Sequence, residues 1–324
     1  MLNAAIVGLG WWGKRLVAAA RAVNAPIRFV RGVTLEPDSV RDFVAEHALL
    51  IGTSYDEVLA DPAIEAVVLA TPHTKHREQV EAAAARGKHI YCEKPFSLAK
   101  ADAEAALGAC ARAGVVVGVG HHFRLMPSMR ALRELIEGGA LGVIMHAEGN
   151  YSHDWLANVP AEGWRAAPEE TRAGGMTGMG IHLLDCFRDL VGPMRRIGAL
   201  SKRRALSLAT GDTTAALIEF ENGATGTLAT TLKTPFVWRF AIYGSEAWAE
   251  SASETRLVVR RAGREPETKD FPAEDHLGRN LEAFAQAILR REPFPIDHAG
   301  ILHTVAALEA VFRAADADGA WQAV

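Results

Sequence analysis

The chain has 324 residues, of which 49% are hydrophobic and 23% are charged. These fractions are typical of a folded globular protein and exclude a disordered or collagen-like chain. The length predicts about two domains. Lys and Arg number 35 against 39 Asp and Glu, which gives a net charge of −4. Without a basic excess, we expect no nucleic-acid or anionic-membrane partner.

The cysteines and the apolar runs of the chain bear on its location. Cys92, Cys110 and Cys186 are odd in number and far apart, which predicts neither a disulfide framework nor a CxxC metal site. The first residues lack the pattern of a signal peptide. No segment approaches the run of about 18 apolar residues that a membrane-spanning helix needs. We therefore expect a cytoplasmic protein that holds no metal.

The N-terminal part alternates short β-branched runs with Ala-rich helical segments. The predicted strands are Ala4–Val7, Ile27–Thr34, Ala66–Thr71, His89–Tyr91 and Val115–Val119. The predicted helices are Lys14–Val23, Asp38–His47, His76–Arg86 and Ala99–Ala113. This alternation predicts an α/β domain over residues 1–122, a doubly wound parallel sheet of the Rossmann type. Its ligand crevice should lie at the carboxyl ends of the strands.

From residue 123 onward, successive strands replace that alternation. The predicted strands are Gly142–Ser152, Thr213–Glu221, Ala224–Thr231, Trp238–Tyr243 and Ala247–Ser251. The predicted helices are Pro127–Glu137, Ile181–Leu190, Leu277–Arg291 and His298–Ala315. Residues 123–324 should form an α+β domain with a large, mainly antiparallel open sheet, and the last two helices should cover one face. The other face predicts a homo-oligomer, a dimer or a tetramer.

The loop after the first predicted strand is rich in glycine and opens a helix. It reads Gly8-Leu9-Gly10-Trp11-Trp12-Gly13. In this context the first glycine permits a tight turn, the second lets the backbone approach a pyrophosphate, and the third lets helix and strand pack closely. The helix N-terminus adds N–H donors for the phosphates. The loop therefore predicts dinucleotide binding, with the two tryptophans as packing residues, one of which shields the phosphates.

The end of the second predicted strand bears on the choice between NAD and NADP. An acidic residue is expected there if the ribose of NAD is bound, but the position is occupied by Thr34. An uncharged residue removes repulsion against a 2′-phosphate, which Arg31 or Arg41 would then pair. The alternative is that Glu36 or Asp38 reaches back to the ribose. The sequence thus favours NADP slightly.

Further motifs follow in a fixed order along the chain. They are Ala70-Thr71-Pro72 with His76, Gly87-Lys88-His89, Glu93-Lys94-Pro95, Arg124 with Pro127, Trp164-Arg165, and Gly180-Ile181-His182-Leu183-Leu184-Asp185. Together with the glycine loop, they resemble the Gfo/Idh/MocA oxidoreductases over essentially the whole chain. The resemblance implies an NAD(P)-dependent dehydrogenase or reductase that transfers hydride between nicotinamide and a hydroxyl or carbonyl of a sugar, polyol or similar small cyclic substrate. It implies cofactor contacts from Thr71, Pro72, His76, Glu93 and Lys94.

The resemblance also implies two catalytic residues. Lys94 would hold and polarise the reacting oxygen through a charge-assisted hydrogen bond. His182 would take or return the hydroxyl proton, which suits an imidazole whose pKa lies near neutrality. The family further implies that the bond between Lys94 and Pro95 is cis.

Seven residues, including these two, are expected to bind the substrate. They are Lys94, Tyr151, His153, Trp164, Arg165, His182 and Asp185. The chain departs from the family at Gly178, where many members carry an aspartate four residues before the histidine. His182 must then be supported by another group, with Asp185, Asp154 or His153 as candidates, or the substrate must differ from a simple polyol.

Two alternative functions remain open on the sequence. One is a redox-neutral enzyme that keeps its cofactor and uses transient oxidation to assist elimination or glycosidic cleavage. The other is a non-catalytic protein of the same fold that senses a cofactor or a sugar. Retention of Lys94 and His182 argues against the second, whereas Gly178 keeps it open.

Overall fold

A computed structural model describes residues 1–154, 157, 159 and 163–324, and these residues form two units. The first unit contains Met1–His122 and Asp275–Ile301, and the second contains Phe123–Glu274 and Leu302–Val324. The sequence assigned all of 123–324 to one domain, so the placement of 275–301 in the first unit corrects that assignment. The division into functional domains stays a prediction.

The first unit is built on a six-stranded parallel sheet in the order β3-β2-β1-β4-β5-β6. Its strands are β1 (Leu2–Val7), β2 (Ile27–Val33), β3 (Leu50–Gly52), β4 (Ala66–Leu69), β5 (His89–Cys92) and β6 (Val117–Val119). The two central strands are nearly continuous apolar runs, as expected of strands that are covered on both faces. The predicted Rossmann sheet is confirmed, although the three-residue β3 was missed.

The helices of this unit lie along the parallel sheet. They are α1 (Trp11–Ala22), α2 (Arg41–His47), α3 (Tyr55–Ala60), α4 (His76–Ala85), α5 (Lys100–Ala113) and, much later in the chain, α8 (His276–Leu289). The last of these packs against α1, β2 and β5. A β-carbon at Gly278 would lie 2.5 Å from the carbonyl oxygen of Ala19, so the two helices approach closely. The prediction that this helix covers the antiparallel sheet is therefore wrong.

The second unit is built on a nine-stranded sheet in the order β14-β13-β12-β11-β7-β10-β9-β8-β15. Its strands are β7 (Ile144–Ser152), β8 (Met194–Lys202), β9 (Thr213–Phe220), β10 (Thr225–Thr231), β11 (Val237–Gly244), β12 (Ala247–Ser253), β13 (Arg256–Arg261), β14 (Glu267–Asp270) and β15 (Gln322–Ala323). All pairs are antiparallel except β7 with β10. The predicted sheet type is confirmed, and so is the hairpin at Gly223, where φ is +87°.

Helices cover one face of this sheet. They are α6 (Pro127–Glu137), α7 (Gly180–Leu190) and α9 (His298–Asp316), whose residues from 302 onward belong to the second unit. The helix α7 packs on β7 and β10, and a β-carbon at Gly149 would lie 3.1 Å from the Phe187 ring. Along β9 buried and exposed residues alternate, so the other face is open. In the described part of the chain, no helix combines the length and hydrophobicity needed to cross a bilayer.

A buried carboxylate anchors the loop between β8 and β9. Asp212 is 2% exposed and accepts hydrogen bonds from the backbone N–H groups of Arg204, Ala205 and Leu206, at 2.5 to 3.0 Å. Burial alone would raise the pKa of Asp212, but these N–H groups lower it below its ordinary value. The loop continues to Thr210, whose carbonyl accepts from Gly174 in the segment before α7.

We expect Asp212→Asn to lower the free energy of unfolding by about 2 kcal/mol, because an amide accepts these bonds less well than a carboxylate. Urea unfolding at neutral pH measures the change. Since the folded-state pKa is lowered, the carboxylate stabilises above its unfolded pKa near 4, and the difference from wild type should vanish as pH falls through the folded value. Asp270→Asn, at an exposed pair with Arg256, serves as control, and equal losses in both variants would contradict the anchor.

Candidate functional site

The glycine loop of the first unit has the close contacts that its sequence predicts. Gly8 has φ of +95°, and a β-carbon there would lie 2.6 Å from the carbonyl oxygen of Ala70. A β-carbon at Gly13 would collide with the Gly8 carbonyl, whereas one at Gly10 would meet open space. The loop is thus packed on one side and open at Gly10, before the first turn of α1. This cradle fits the pyrophosphate of a dinucleotide, with the α1 N–H groups as its donors.

The two loop tryptophans have different surroundings. Trp11 is 46% exposed, and its ring meets that of Trp12 edge to face with centroids 5.0 Å apart. The indole N–H of Trp12 lies beside the buried Glu93 carboxyl and helps to lower its pKa. Burial dominates, however, and raises the pKa of Glu93 to about 7, against the lowering by Lys94 and Trp12.

The Glu93-Lys94-Pro95 motif begins directly after β5. The Lys94 N–H donates to Oε2 of Glu93 at 3.2 Å, and the bond between Lys94 and Pro95 is cis, as the resemblance implies. A β-carbon at Gly120 would lie 2.7 Å from the Glu93 carboxylate oxygens, so glycine is needed where β6 ends. In the sheet order β1, β4 and β5 are neighbours, so the glycine loop, Thr71 and Lys94 follow adjacent strands at one edge.

His76 connects the loops that follow β4 and β5. Its Nδ1 lies 2.8 Å from the Pro95 carbonyl oxygen and its Nε2 lies 3.1 Å from that of Thr71. The ring is fully buried. The Thr71 hydroxyl donates to Oε1 of Gln79, and Pro72 precedes a short 3-10 turn. His76 therefore holds the two loops in register, and its predicted contact with cofactor stays a prediction.

The groups expected at the adenosine ribose lie in the segment from β2 to the first residue of α2. Thr34 Oγ1 accepts from the Glu36 N–H at 3.2 Å. Arg31 points to Glu57 and Asp61, at 4.0 and 3.7 Å. Arg41 forms an exposed pair with Asp38 at 2.6 Å.

A histidine pair in the first unit was not predicted. Nδ1 of His122 lies 2.8 Å from Nδ1 of His276, and the rings stack at 4.9 Å. The His122 ring is also 6.0 Å from the Trp12 ring. Burial, and then the charges of His276, Lys94, His121 and Arg15, hold the pKa of His122 well below its ordinary value. His276 lies more than 150 residues away in the chain, so no local motif signals this pair.

In the second unit, His182 lies on α7 within a cluster of aromatic rings. Its ring stacks on Phe123 with centroids 4.0 Å apart and an interplanar angle of 13°. Tyr151 stands edge-on to both, at 6.4 Å from His182 and 5.3 Å from Phe123. Burial raises the pKa of Tyr151 to about 12. The structure thus brings together the predicted residues Tyr151 and His182, and it adds Phe123, which sequence reasoning missed.

Asp185, one turn after His182, is engaged by Arg124. The guanidinium donates from Nε and Nη2 to the two carboxylate oxygens, both at 2.6 Å, and from Nη1 to Asp189 at 2.7 Å. Arg133 donates to the other oxygen of Asp189. Burial alone would lower the pKa of Arg124, but the two carboxylates raise it above its ordinary value. Asp185 therefore ties α7 to residue 124, and its predicted substrate contact gains no support.

The other predicted substrate residues lie before α7. The Arg165 guanidinium lies over the Trp164 ring at 4.1 Å, and burial lowers its pKa. The N–H of His153 donates to the Thr231 carbonyl at 3.2 Å, and its ring is 5.2 Å from that of Tyr151. Their contacts with substrate stay predictions.

The segment that contains Gly178 is packed against the sheet. Gly174 has φ of +56°, and its N–H donates to Thr210 at 2.7 Å. A β-carbon at Gly175 would lie 2.9 Å from Thr230. Gly174 thus permits a close approach to the start of β9 and Gly175 one to β10, shortly before the helix that carries His182.

Comparisons with known proteins cover both units. Residues 2–121 match the family described as "Oxidoreductase family, NAD-binding Rossmann fold", and residues 129–250 match "GFO/IDH/MocA C-terminal domain". Levoglucosan dehydrogenase of Pseudarthrobacter phenanthrenivorans is 32% identical over 211 residues, which are 61% of this chain and 53% of that protein. The 2,7-anhydro-N-acetylneuraminate hydratase of Escherichia coli is 30% identical over 194 residues, 59% of this chain and 50% of that protein.

The fold agrees with a solved structure over the full length. A levoglucosan dehydrogenase in complex with NADH and levoglucosan superposes with a TM-score of 0.90 at 24% identity, covering 100% of this chain and 99% of the other. The sequence matches, by contrast, span about half the length of the curated relatives. With both of its units matched by descriptions of one family, the chain belongs to the Gfo/Idh/MocA oxidoreductases.

Proposed function

We propose that the protein is an NAD(P)-dependent oxidoreductase that acts on a hydroxyl or the matching carbonyl of a sugar, polyol or similar small cyclic substrate. The observation that carries this proposal is the position of Lys94, two residues after the end of β5 and at the same sheet edge as the glycine loop. The sugar dehydrogenase among the relatives supports the substrate class. A cytoplasmic location stays a prediction.

Two residues of this chain would handle the oxygen and its proton. Lys94 donates a charge-assisted hydrogen bond to the reacting oxygen and so stabilises negative charge that develops there. A ring nitrogen of His182 takes the hydroxyl proton during oxidation and returns it during reduction. The nicotinamide, when bound, supplies the hydride chemistry. The buried Glu93, next to Lys94, helps to fix the lysine backbone through the Lys94 N–H.

We expect Lys94→Ala to lower turnover by about 100-fold or more while leaving cofactor affinity nearly unchanged, because the pyrophosphate is held by the glycine loop. Absorbance at 340 nm with a panel of sugars measures turnover, and quenching of protein fluorescence by the reduced cofactor measures binding. Lys269→Ala, on the exposed strand β14, is the control. Wild-type rates in the Lys94 variant would refute the role of the lysine.

We further propose that NADP is preferred over NAD. Thr34 adds no negative charge where the 2′-phosphate would lie. Two cations flank the turn that follows, since Lys14 donates to the Ser39 carbonyl at 3.4 Å and Arg41 forms an exposed pair with Asp38. Arg31 is directed toward Glu57 and Asp61 instead, which favours Arg41 as the phosphate partner.

We expect Arg41→Ala to weaken NADPH binding about fivefold and to leave NADH binding unchanged, because only NADPH carries the second phosphate. Titration of each cofactor into each variant gives the dissociation constants. Arg31→Ala is a matched control and should leave both affinities near wild type. A much tighter NADH complex of the wild-type protein would contradict the preference.

A redox-neutral reaction is a second candidate, favoured by the hydratase among the relatives and by Gly178. In such a reaction no reduced cofactor accumulates, because the hydride taken from the substrate is returned before the product leaves. Product analysis beside the absorbance assay separates the two: a new product without change at 340 nm supports the redox-neutral enzyme, and equal yields of product and reduced cofactor support the dehydrogenase.

We also propose that the protein is a homo-oligomer through the open face of the nine-stranded sheet. That face carries a groove of about 800 Å³. Leu200, Leu217 and Trp321 line it and are 47%, 57% and 46% exposed, while Glu148 and Arg239 add charge. A second copy would cover this apolar surface with the same surface of its own.

We expect Leu217→Glu to shift the oligomer to monomer, because it places unpaired charge in an apolar contact. Light scattering at micromolar concentration measures the mass. Leu50→Glu, at an exposed leucine of β3, should leave the mass unchanged. A monomeric wild-type protein would overturn the proposal.

A further inference from the structure

We propose that Phe123 is a positioning residue that sets the orientation of the His182 imidazole by stacking against it. The inference rests on the proposed function, in which His182 moves the hydroxyl proton. The two rings are nearly parallel, at 13°, with centroids 4.0 Å apart, and the side chains are only 8% and 4% exposed. A rotation of the imidazole about its Cβ–Cγ bond would break this contact over the whole ring face.

Two positions on or near α7 that could carry an orienting carboxylate for the histidine are 178 and 185. Position 178 is a glycine, which offers no carboxylate. Asp185 lies on the same helix one turn later, but both of its oxygens accept from Arg124. The Phe123 ring covers one face of the imidazole.

Phe123 is itself held from two further directions. Tyr151 and Trp238 meet its ring at 5.3 and 5.2 Å, with interplanar angles of 60° and 83°. The Trp238 indole N–H donates to Ser251 Oγ at 3.0 Å, which fixes that ring on β11 and β12. Edge-to-face contacts on both sides restrict rotation of Phe123. The Phe123 ring under the imidazole is therefore held in place by two side chains of the sheet, Tyr151 on β7 and Trp238 on β11.

The residue after Phe123, Arg124, contacts the same helix as His182. Arg124 bonds Asp185 and Asp189 on α7, while Phe123 stacks on His182 of that helix. These two adjacent residues thus contact α7 in different ways, Arg124 by ion pairs and Phe123 by stacking. The ion pair fixes the helix, and the stack fixes the ring. Proton transfer depends strongly on the direction of the accepting nitrogen, so loss of the stack should slow it.

The first test replaces Phe123 with Leu, which keeps apolar bulk and removes the ring. We expect kcat to fall about tenfold with KM and cofactor affinity within twofold of wild type, since a misdirected nitrogen impairs transfer and not binding. Phe123→Tyr, which keeps the ring, should restore most of kcat. The matched control is Phe187→Leu, a fully buried ring on α7 that packs on Phe240 at 5.1 Å.

Equal losses of kcat in the Phe123→Leu and Phe187→Leu variants would overturn the proposal, because they would indicate a general loosening of α7. A wild-type kcat in Phe123→Leu would overturn it as well. If Phe123→Leu does not fold, as judged by circular dichroism, Phe123→Met takes its place with the same expected result.

A spectroscopic arm separates this proposal from the proposed function. Ring protons of His182, assigned by their loss in His182→Gln, should lie upfield in the NMR spectrum because the phenyl face shields them. Phe123→Leu should move them downfield, and Phe187→Leu should not. A wild-type protein without turnover on any substrate would refute the proposed function, yet the shift would still test the stack. Unchanged shifts in Phe123→Leu would overturn the positioning role.

Discussion

Arg124 lies buried between two carboxylates of α7, and the arrangement of the second unit around His182 depends on this interaction. The guanidinium and Asp185 are almost fully removed from water, so neither charge is tolerable without the other. Loss of one partner of such a pair costs about 3 to 5 kcal/mol. Because Asp185 follows His182 by one turn, the same pair that neutralises the charge also determines where the histidine lies along the sheet.

The first unit could be predicted well because its signals are local. A glycine with positive φ and a strand that is apolar along its whole length are visible in a few consecutive residues, as at Gly8 and in Ala66–Leu69. Parallel topology then places Lys94 at the same edge as the glycine loop without further information. The hairpin at Gly223 was predictable for the same reason, since its turn chemistry is contained in three residues.

Contacts between distant parts of the chain could not be predicted. Phe123 stacks on His182, which lies nearly 60 residues later in the chain, and no local sequence pattern around either residue indicates this contact. The helix α8 was assigned to the wrong sheet, because its periodicity indicates its apolar face but not the surface that this face covers. The edge strand β14 was missed for another reason. Glu267–Asp270 is polar and exposed at every position, so it lacks the apolar alternation of a half-buried strand.

The return of Asp275–Ile301 to the first unit means that this unit is not a continuous stretch of sequence. The hydroxyl of buried Tyr91 donates to Oδ1 of Asn280 at 2.7 Å, and α1 packs against α8. A fragment that ends at residue 122 would leave that hydroxyl without its acceptor and uncover an apolar helix face. Engineering that exchanges the nucleotide-binding part with a relative must therefore carry two segments, and gene fusions cut at the first boundary would separate residues that fold together.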